Sequence, residues 1–175
     1  MQPDSPAPAL PRTLVIMGVS GCGKTLIGNL LADRLGGICE DADDFHSEAN
    51  KDKMRAGTPL TDEDRWPWYA ALRARIEVMR QQTPLYVLAC SALKAVYREK
   101  LRAGDSPQDL VFVHLKGSRD VIFARMSARK GHYMPASLLD SQFAILEETQ
   151  DLCTVSLEQE PQAIVAEVLQ KLGLA

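Results

Sequence analysis

The stretch Gly18-Val19-Ser20-Gly21-Cys22-Gly23-Lys24-Thr25 has the spacing G-x-x-x-x-G-K-T, and its residue types suit a polyphosphate. Gly18, Gly21 and Gly23 let successive backbone N–H groups turn inward as a nest for anionic oxygens. Lys24 brings a point charge to the β- and γ-phosphates, and the Thr25 hydroxyl suits Mg2+. The acidic run "EDADDFH" adds Asp41 and Asp43, which point to one side if the segment is extended. Asp41 joins Thr25 as a candidate metal ligand, ordering Mg2+ or its waters. Asp43 is the candidate base, taking a hydroxyl proton as an alcohol attacks the γ-phosphorus. Arg125 and Arg129 are four apart, share one face of a helix, and can offset the negative charge that develops in transfer. The chemistry implied is phosphoryl transfer, with Lys24, Asp43, Arg125 and Arg129 as catalytic residues and residues 18–25 as the nucleotide-binding set.

An acceptor needs its own partners. His46, Asn50, Lys53 and Arg65 follow the acidic run, and Arg65 can grip a carboxylate with its planar fork. "CSALK" places Ser91 and Lys94 after a third apolar run, and Arg98 follows one turn later. His132, in "KGHYM", is a further contact to substrate or phosphate, with Gly131 as a hinge. Each has a plainer alternative. Arg65 can pair with Asp62 or Asp64, His46 can be a turn residue, and Tyr97 and Arg98 can be ordinary helix surface. His114 lies within an apolar strand and is read as structural. Cys22 has two readings: a thiol activated by surrounding N–H groups and Lys24, or a small residue that merely fits.

The elements that must hold these residues alternate. "TLVIM" (13–17) is a continuous apolar run ending at a glycine, as in a buried parallel strand. A helix from Lys24 carries Leu26, Ile27, Leu30, Leu31 and Leu35 as one stripe and stops at Gly36-Gly37. "ICED" (38–41), "LYVLAC" (85–90), "LVFVHL" (110–115) and "LCTVSL" (152–157) are four further strands. Ser47 caps a short helix to Ala56, and a longer one starts in "TDEDRW", where Pro67 favours Asp64 over Thr61 as cap. Ser118 caps a helix over 119–130, and others span about 136–148 and the C-terminus. The expectation is one α/β domain over 13–175. It has the three-layer α/β/α form of P-loop nucleotide-binding proteins, with a five-stranded parallel sheet and a helical lid at about 119–135.

Composition sets the limits. The 175 residues suit a single domain, and a net charge of −3 leaves no global field for nucleic acid or an anionic membrane. No apolar run approaches the ~20 residues that span a bilayer. The N-terminal "MQPDSPAPALPR" is expected to be a disordered tail, neither signal nor transit peptide. Four scattered cysteines without a C-x-x-C pair suggest reduced thiols in the cytoplasm. A motor or switch protein would carry an acid at the tip of its third strand or an N-K-x-D segment. This chain has neither, which leaves a small-molecule kinase or an ATP-binding regulator.

Four blocks carry a resemblance: "GVSGCGKT", "DADDFHSEANKDKMRAGTPLTDEDRWPWYAAL", "CSALKAVYREKLR" and "LKGSRDVIFARMSARKGHYMPASLLDSQFAILEE". In this order and spacing, over about Leu14 to Glu148, the chain resembles the gluconokinases of the shikimate-kinase-like group. The resemblance implies ATP and D-gluconate as substrates, Mg2+ as cofactor, 6-phosphogluconate as product and a homodimer. A related kinase of another hydroxy acid or a nucleoside stays open as the alternative. Two departures stand out: "DADD" where the family often has Asp-Gly-Asp, and "LEET" in place of Leu-Glu-x-Pro.

Overall fold

The computed structural model describes residues 9–129 and 135–175. In chain order the elements are β1 (Thr13–Met17), α1 (Lys24–Leu35), β2 (Ile38–Asp41), a 3-10 turn (Ala42–Phe45), α2 (Glu48–Arg55) and α3 (Asp62–Met79). There follow β3 (Tyr86–Ala89), α4 (Ala95–Arg102), β4 (Leu110–Lys116), α5 (Arg119–Ser127), α6 (Ala136–Ile145), β5 (Cys153–Ser156) and α7 (Pro161–Lys171). The strands form one parallel sheet in the order β2-β3-β1-β4-β5.

β1 is apolar throughout because both its faces are covered. Leu14 and Ile16 enter a core shared with Ile27 and Leu31 of α1 and Val165 and Val168 of α7. Val15 and Met17 face the other way, onto Trp68, Leu72 and Ile76 of α3 and Tyr97 and Leu101 of α4. Alternating side chains of a single strand thus serve two cores. β1 lies between β3 and β4, so the connections diverge there, and the crevice outside the carboxyl ends of such strands is where ligands bind.

The structure corrects several local expectations. Residues 11 and 12, expected in the tail, belong to the fold: Pro11 is buried, the Arg12 N–H donates to the Asp109 carbonyl, and the Tyr86 N–H donates to the Arg12 carbonyl. Residues 1–8 lie outside the described residues. Leu26 is 53% exposed and does not belong to the α1 stripe. At Gly28 that helix lies so close to β2 that a Cβ would meet Cys39 Sγ at 2.8 Å. Thr61, not Asp64, is the N-cap of α3, and Pro67 sits inside the helix. α5 ends at Ser127, before the expected 130, and α6 at Ile145, before 148.

Candidate active site

The phosphate loop turns on three glycines with positive φ: Gly18 at 144°, Gly21 at 80° and Gly23 at 92°. These are backbone conformations that an L side chain rarely adopts. Gly18 and Gly21 also lack space, since a Cβ would meet Cys22 Sγ at 2.8 Å in the first and Met126 Cγ at 2.4 Å in the second. Met126 belongs to α5, so that helix packs directly on the loop. Val19 faces inward and is buried in the core. Lys24 folds back along the loop, its ammonium donating to the carbonyls of Gly18 and Val19 at 3.1 Å each.

Cys22 is buried beneath Gly18, and burial pushes its thiol pKa up despite the nearby Lys24 charge. The activated-thiol reading is therefore corrected. Desolvation outweighs the local positive field, and the residue is small because the turn has no room for more.

Thr25 Oγ1 donates to Asp41 Oδ2 at 2.9 Å, and the other oxygen of Asp41 accepts from the Asp43 N–H at 2.9 Å. The two acids are brought together by this capped 3-10 turn and not by strand alternation, because the chain leaves the extended conformation after Asp41. Ala42 at the turn is fully buried with an ordinary backbone, and its carbonyl accepts from Trp68 Nε1 at 2.8 Å. Its position therefore demands no glycine. The Asp43 side chain is 82% exposed at the turn beside Asp41. Its pKa is raised by the cleft walls first and by Asp41 next, with Lys24 opposing. Solvent screening keeps that effect small. Beside these acids an open cavity of about 460 Å³ is lined by Thr25, Asn29, Glu40, Asp41, Asp44 and Phe45, among others.

His46 does not line the cleft as expected. Its side chain is 3% exposed and stacks on Trp68 with ring centroids 3.9 Å apart. Nε2 lies 3.9 Å from Asp43 Oδ1 and Nδ1 lies 3.5 Å from Asn50 Nδ2. Burial, aided by the Arg65 and Lys51 charges, lowers its pKa to about 4, so the ring is neutral at pH 7.

Lys53 is also committed elsewhere, donating to both oxygens of Asp64 at 2.8 and 2.9 Å. Arg98 is buried: Nη1 donates to the carbonyls of Ala92 and Leu93 at 2.8 and 3.0 Å, and Nη2 to that of Glu147 at 2.8 Å. It is a structural bracket rather than a substrate contact, since its fork is spent on backbone oxygens of two loops. Arg65 and Lys94 do come together at the mouth of the cleft. Both face the Asp62 carboxylate, at 3.6 and 3.3 Å, and the Tyr97 hydroxyl donates to the same acid. Ser91 is half-buried, and its carbonyl accepts from the Gly18 N–H at 3.3 Å, which joins the acceptor side to the phosphate loop.

Arg125 is exposed on α5 and donates to the Leu157 carbonyl at 3.0 Å. Arg129 lies past the end of that helix, so the two do not share a helical face. His132 and Gly131 lie outside the described residues.

Sequence reasoning missed Gln142. Its Oε1 accepts from the Ser20 N–H at 2.7 Å and its Nε2 donates to Ser20 Oγ at 2.9 Å. No local pattern marks it, because its partner is 122 residues away. Asp62 was weighed only as a possible partner of Arg65, although it gathers three donors.

Comparison with known proteins adds to this geometry. The shikimate kinase family model matches residues 20–173. The chain is 44% identical over 163 residues to a gluconokinase of Gluconobacter oxydans (strain 621H), covering 91% of this chain and 90% of the relative. It is 42% identical over 174 residues to a probable gluconokinase of Xenopus tropicalis, covering 89% and 90%. A solved structure of a gluconokinase from Sinorhizobium meliloti 1021 superposes with a TM-score of 0.83 at 41% identity, covering 93% of this chain and 92% of that one.

Proposed function

The chain belongs to the gluconokinases, within the shikimate kinase family, and from that premise we propose that it transfers the γ-phosphoryl group of ATP to D-gluconate, giving ADP and 6-phospho-D-gluconate. The observation that carries this reading at the site is the linked set Thr25–Asp41–Asp43, held beside a preformed phosphate loop. The loop N–H groups and the N-terminus of α1 hold the phosphates, and Lys24 turns from the Gly18 and Val19 carbonyls onto the β- and γ-oxygens.

Two hard oxygens, Thr25 Oγ1 and Asp41 Oδ2, stand 2.9 Å apart. Among the described residues no three His, Cys, Asp or Glu side chains form a metal cluster. That donor set fits Mg2+, which takes few protein ligands and completes its shell with water and phosphate. When bound, Mg2+ neutralises charge on the phosphate oxygens. Asp43, held beside Asp41 and Thr25 by the 3-10 turn, accepts the hydroxyl proton of gluconate. Arg65 and Lys94 receive the acid end of the acceptor, with Ser91 beside them, and Arg125 and Arg129 reach the transferring group as the lid closes. On the family resemblance alone, the proposal extends to a cytoplasmic homodimer, which sedimentation of the purified protein tests.

The function is tested by coupled measurement of ADP release with gluconate, shikimate, glycerate and nucleosides as acceptors. Turnover with gluconate at a kcat/KM at least tenfold above the others is expected. Turnover with another acceptor and none with gluconate would overturn the proposal.

A further inference from the structure

The C-terminal half of α6 and the residue pair just past it are fastened to the two loops that the reaction must bring together. In that half of α6, Gln142 makes a two-point contact with Ser20, accepting from the N–H at 2.7 Å and donating to Oγ at 2.9 Å. Ser20 directly follows the Gly18 and Val19 carbonyls that receive the Lys24 ammonium, so the contact lies at the β/γ end of the phosphate loop. Just past the helix, the Glu147 N–H donates to the Leu93 carbonyl at 2.9 Å, and Glu147 Oε2 accepts from the Ala95 N–H at 2.7 Å. The buried Arg98 closes this joint by donating to the Glu147 carbonyl at 2.8 Å and to the Ala92 and Leu93 carbonyls. One turn before Gln142, Leu139 anchors α6 in the core, and between the two attachments Ile145 and Leu146 pack against it.

We propose that Gln142 is a positioning residue that sets the separation between the donor loop at Ser20 and the acceptor loop at Ser91–Ala95, with the short segment from Gln142 to Glu147 as the link and Glu147 as its far attachment. A carboxamide suits this task because it supplies one acceptor and one donor in a fixed plane, matching the N–H and hydroxyl of a single serine. The link is short, and Ile145 and Leu146 pack it against the core, so the two attachments move together. Misplacement of about 1 Å between reacting groups costs on the order of a hundredfold in rate. The bonds are made to the protein and not to either substrate. Their loss therefore leaves each half-site able to bind and impairs only the step that needs both halves in register.

The inference rests on the gluconate kinase reading and is tested with Gln142→Met, which keeps the side-chain volume and removes both bonds, and with Glu147→Ala at the far end. Both variants are expected to lower kcat by tenfold or more, with KM for ATP, KM for gluconate and the nucleotide dissociation constant each within threefold of the parent. A rise in the KM or dissociation constant for ATP at unchanged kcat would overturn the proposal and make Gln142 a nucleotide-binding support. Unchanged kinetics, or a lower melting temperature with unchanged kcat per folded molecule, would overturn it equally. Absence of gluconate turnover in the parent protein overturns the functional reading itself. Parent turnover with an unaltered Gln142→Met variant overturns only the spacing role.

Discussion

At the scale of single residues, Asp43 and His46 lie side by side in opposite surroundings. Asp43 is exposed and His46 is buried and neutral, within 3.9 Å. Asp43→Asn is expected to lower kcat by about a hundredfold or more with the ATP dissociation constant unchanged, since a positioned base contributes on that order. Isothermal titration with ATP beside a steady-state assay checks both halves. His46 gives a pH signature of its own. Its folded pKa, about 4, lies below the ordinary 6.5 because burial opposes its charge. As pH falls from 6.5 to 4 the unfolded chain gains a proton that the folded chain refuses, so stability decreases across that window and is flat above it. Denaturant unfolding of His46→Gln between pH 7 and 4 should therefore show a shallower loss than the parent. Much of the residue-level site was legible because its chemistry is contiguous: residues 18–25 and the acids at 41 and 43 announce themselves by type and spacing. Gln142 and the buried fork of Arg98 were not, since their roles follow from partners 122 and 49 positions away.

At the scale of elements, the start of α3 shows how two correct cues can be assigned in the wrong order. Thr61 and Asp64 both have capping side chains, and both are used. Thr61 Oγ1 accepts from the Asp64 N–H at 3.1 Å, and Asp64 Oδ2 accepts from the Thr61 N–H at 3.0 Å. This is a reciprocal capping box, and Pro67 misled because its preference for the first turn is weaker than that paired geometry. The Asp64 carboxylate also binds Lys53, which with the box lowers its pKa to about 2. Thr61→Ala is expected to cost about 1 kcal/mol, seen as a melting temperature lower by about 2–4 °C. α5 ended early for a complementary reason. Its basic residues continue past Ser127, but charge pattern alone does not mark where backbone hydrogen bonding stops.

At the scale of the whole molecule, five similar apolar runs announced a parallel sheet but not its order, because local periodicity carries no record of which strand lies beside which. The order β2-β3-β1-β4-β5 is what sets β1, and with it the phosphate loop, next to both the acceptor loop after β3 and the segment after β4. The acids after β2 reach the loop across β3 through the Asp41–Thr25 bond. A site assembled from four strand ends couples ligand binding to the stability of the entire sheet. MgATP at a hundred times its dissociation constant is expected to stabilise the fold by about 2.7 kcal/mol, raising the melting temperature by roughly 5–10 °C. Lys24→Ala should abolish most of that rise, and differential scanning fluorimetry checks it.

The central claim is that this cleft moves a phosphoryl group from ATP to a hydroxyl of gluconate. Phosphorus and carbon NMR of a reaction mixture containing the parent protein, MgATP and D-gluconate tests it most directly. A phosphomonoester on the terminal carbon of gluconate, formed in equal amount with ADP and at least about a hundredfold more slowly with Asp43→Asn, is the predicted result. Release of inorganic phosphate without a gluconate ester, or an ester formed at the parent rate by Asp43→Asn, would contradict it.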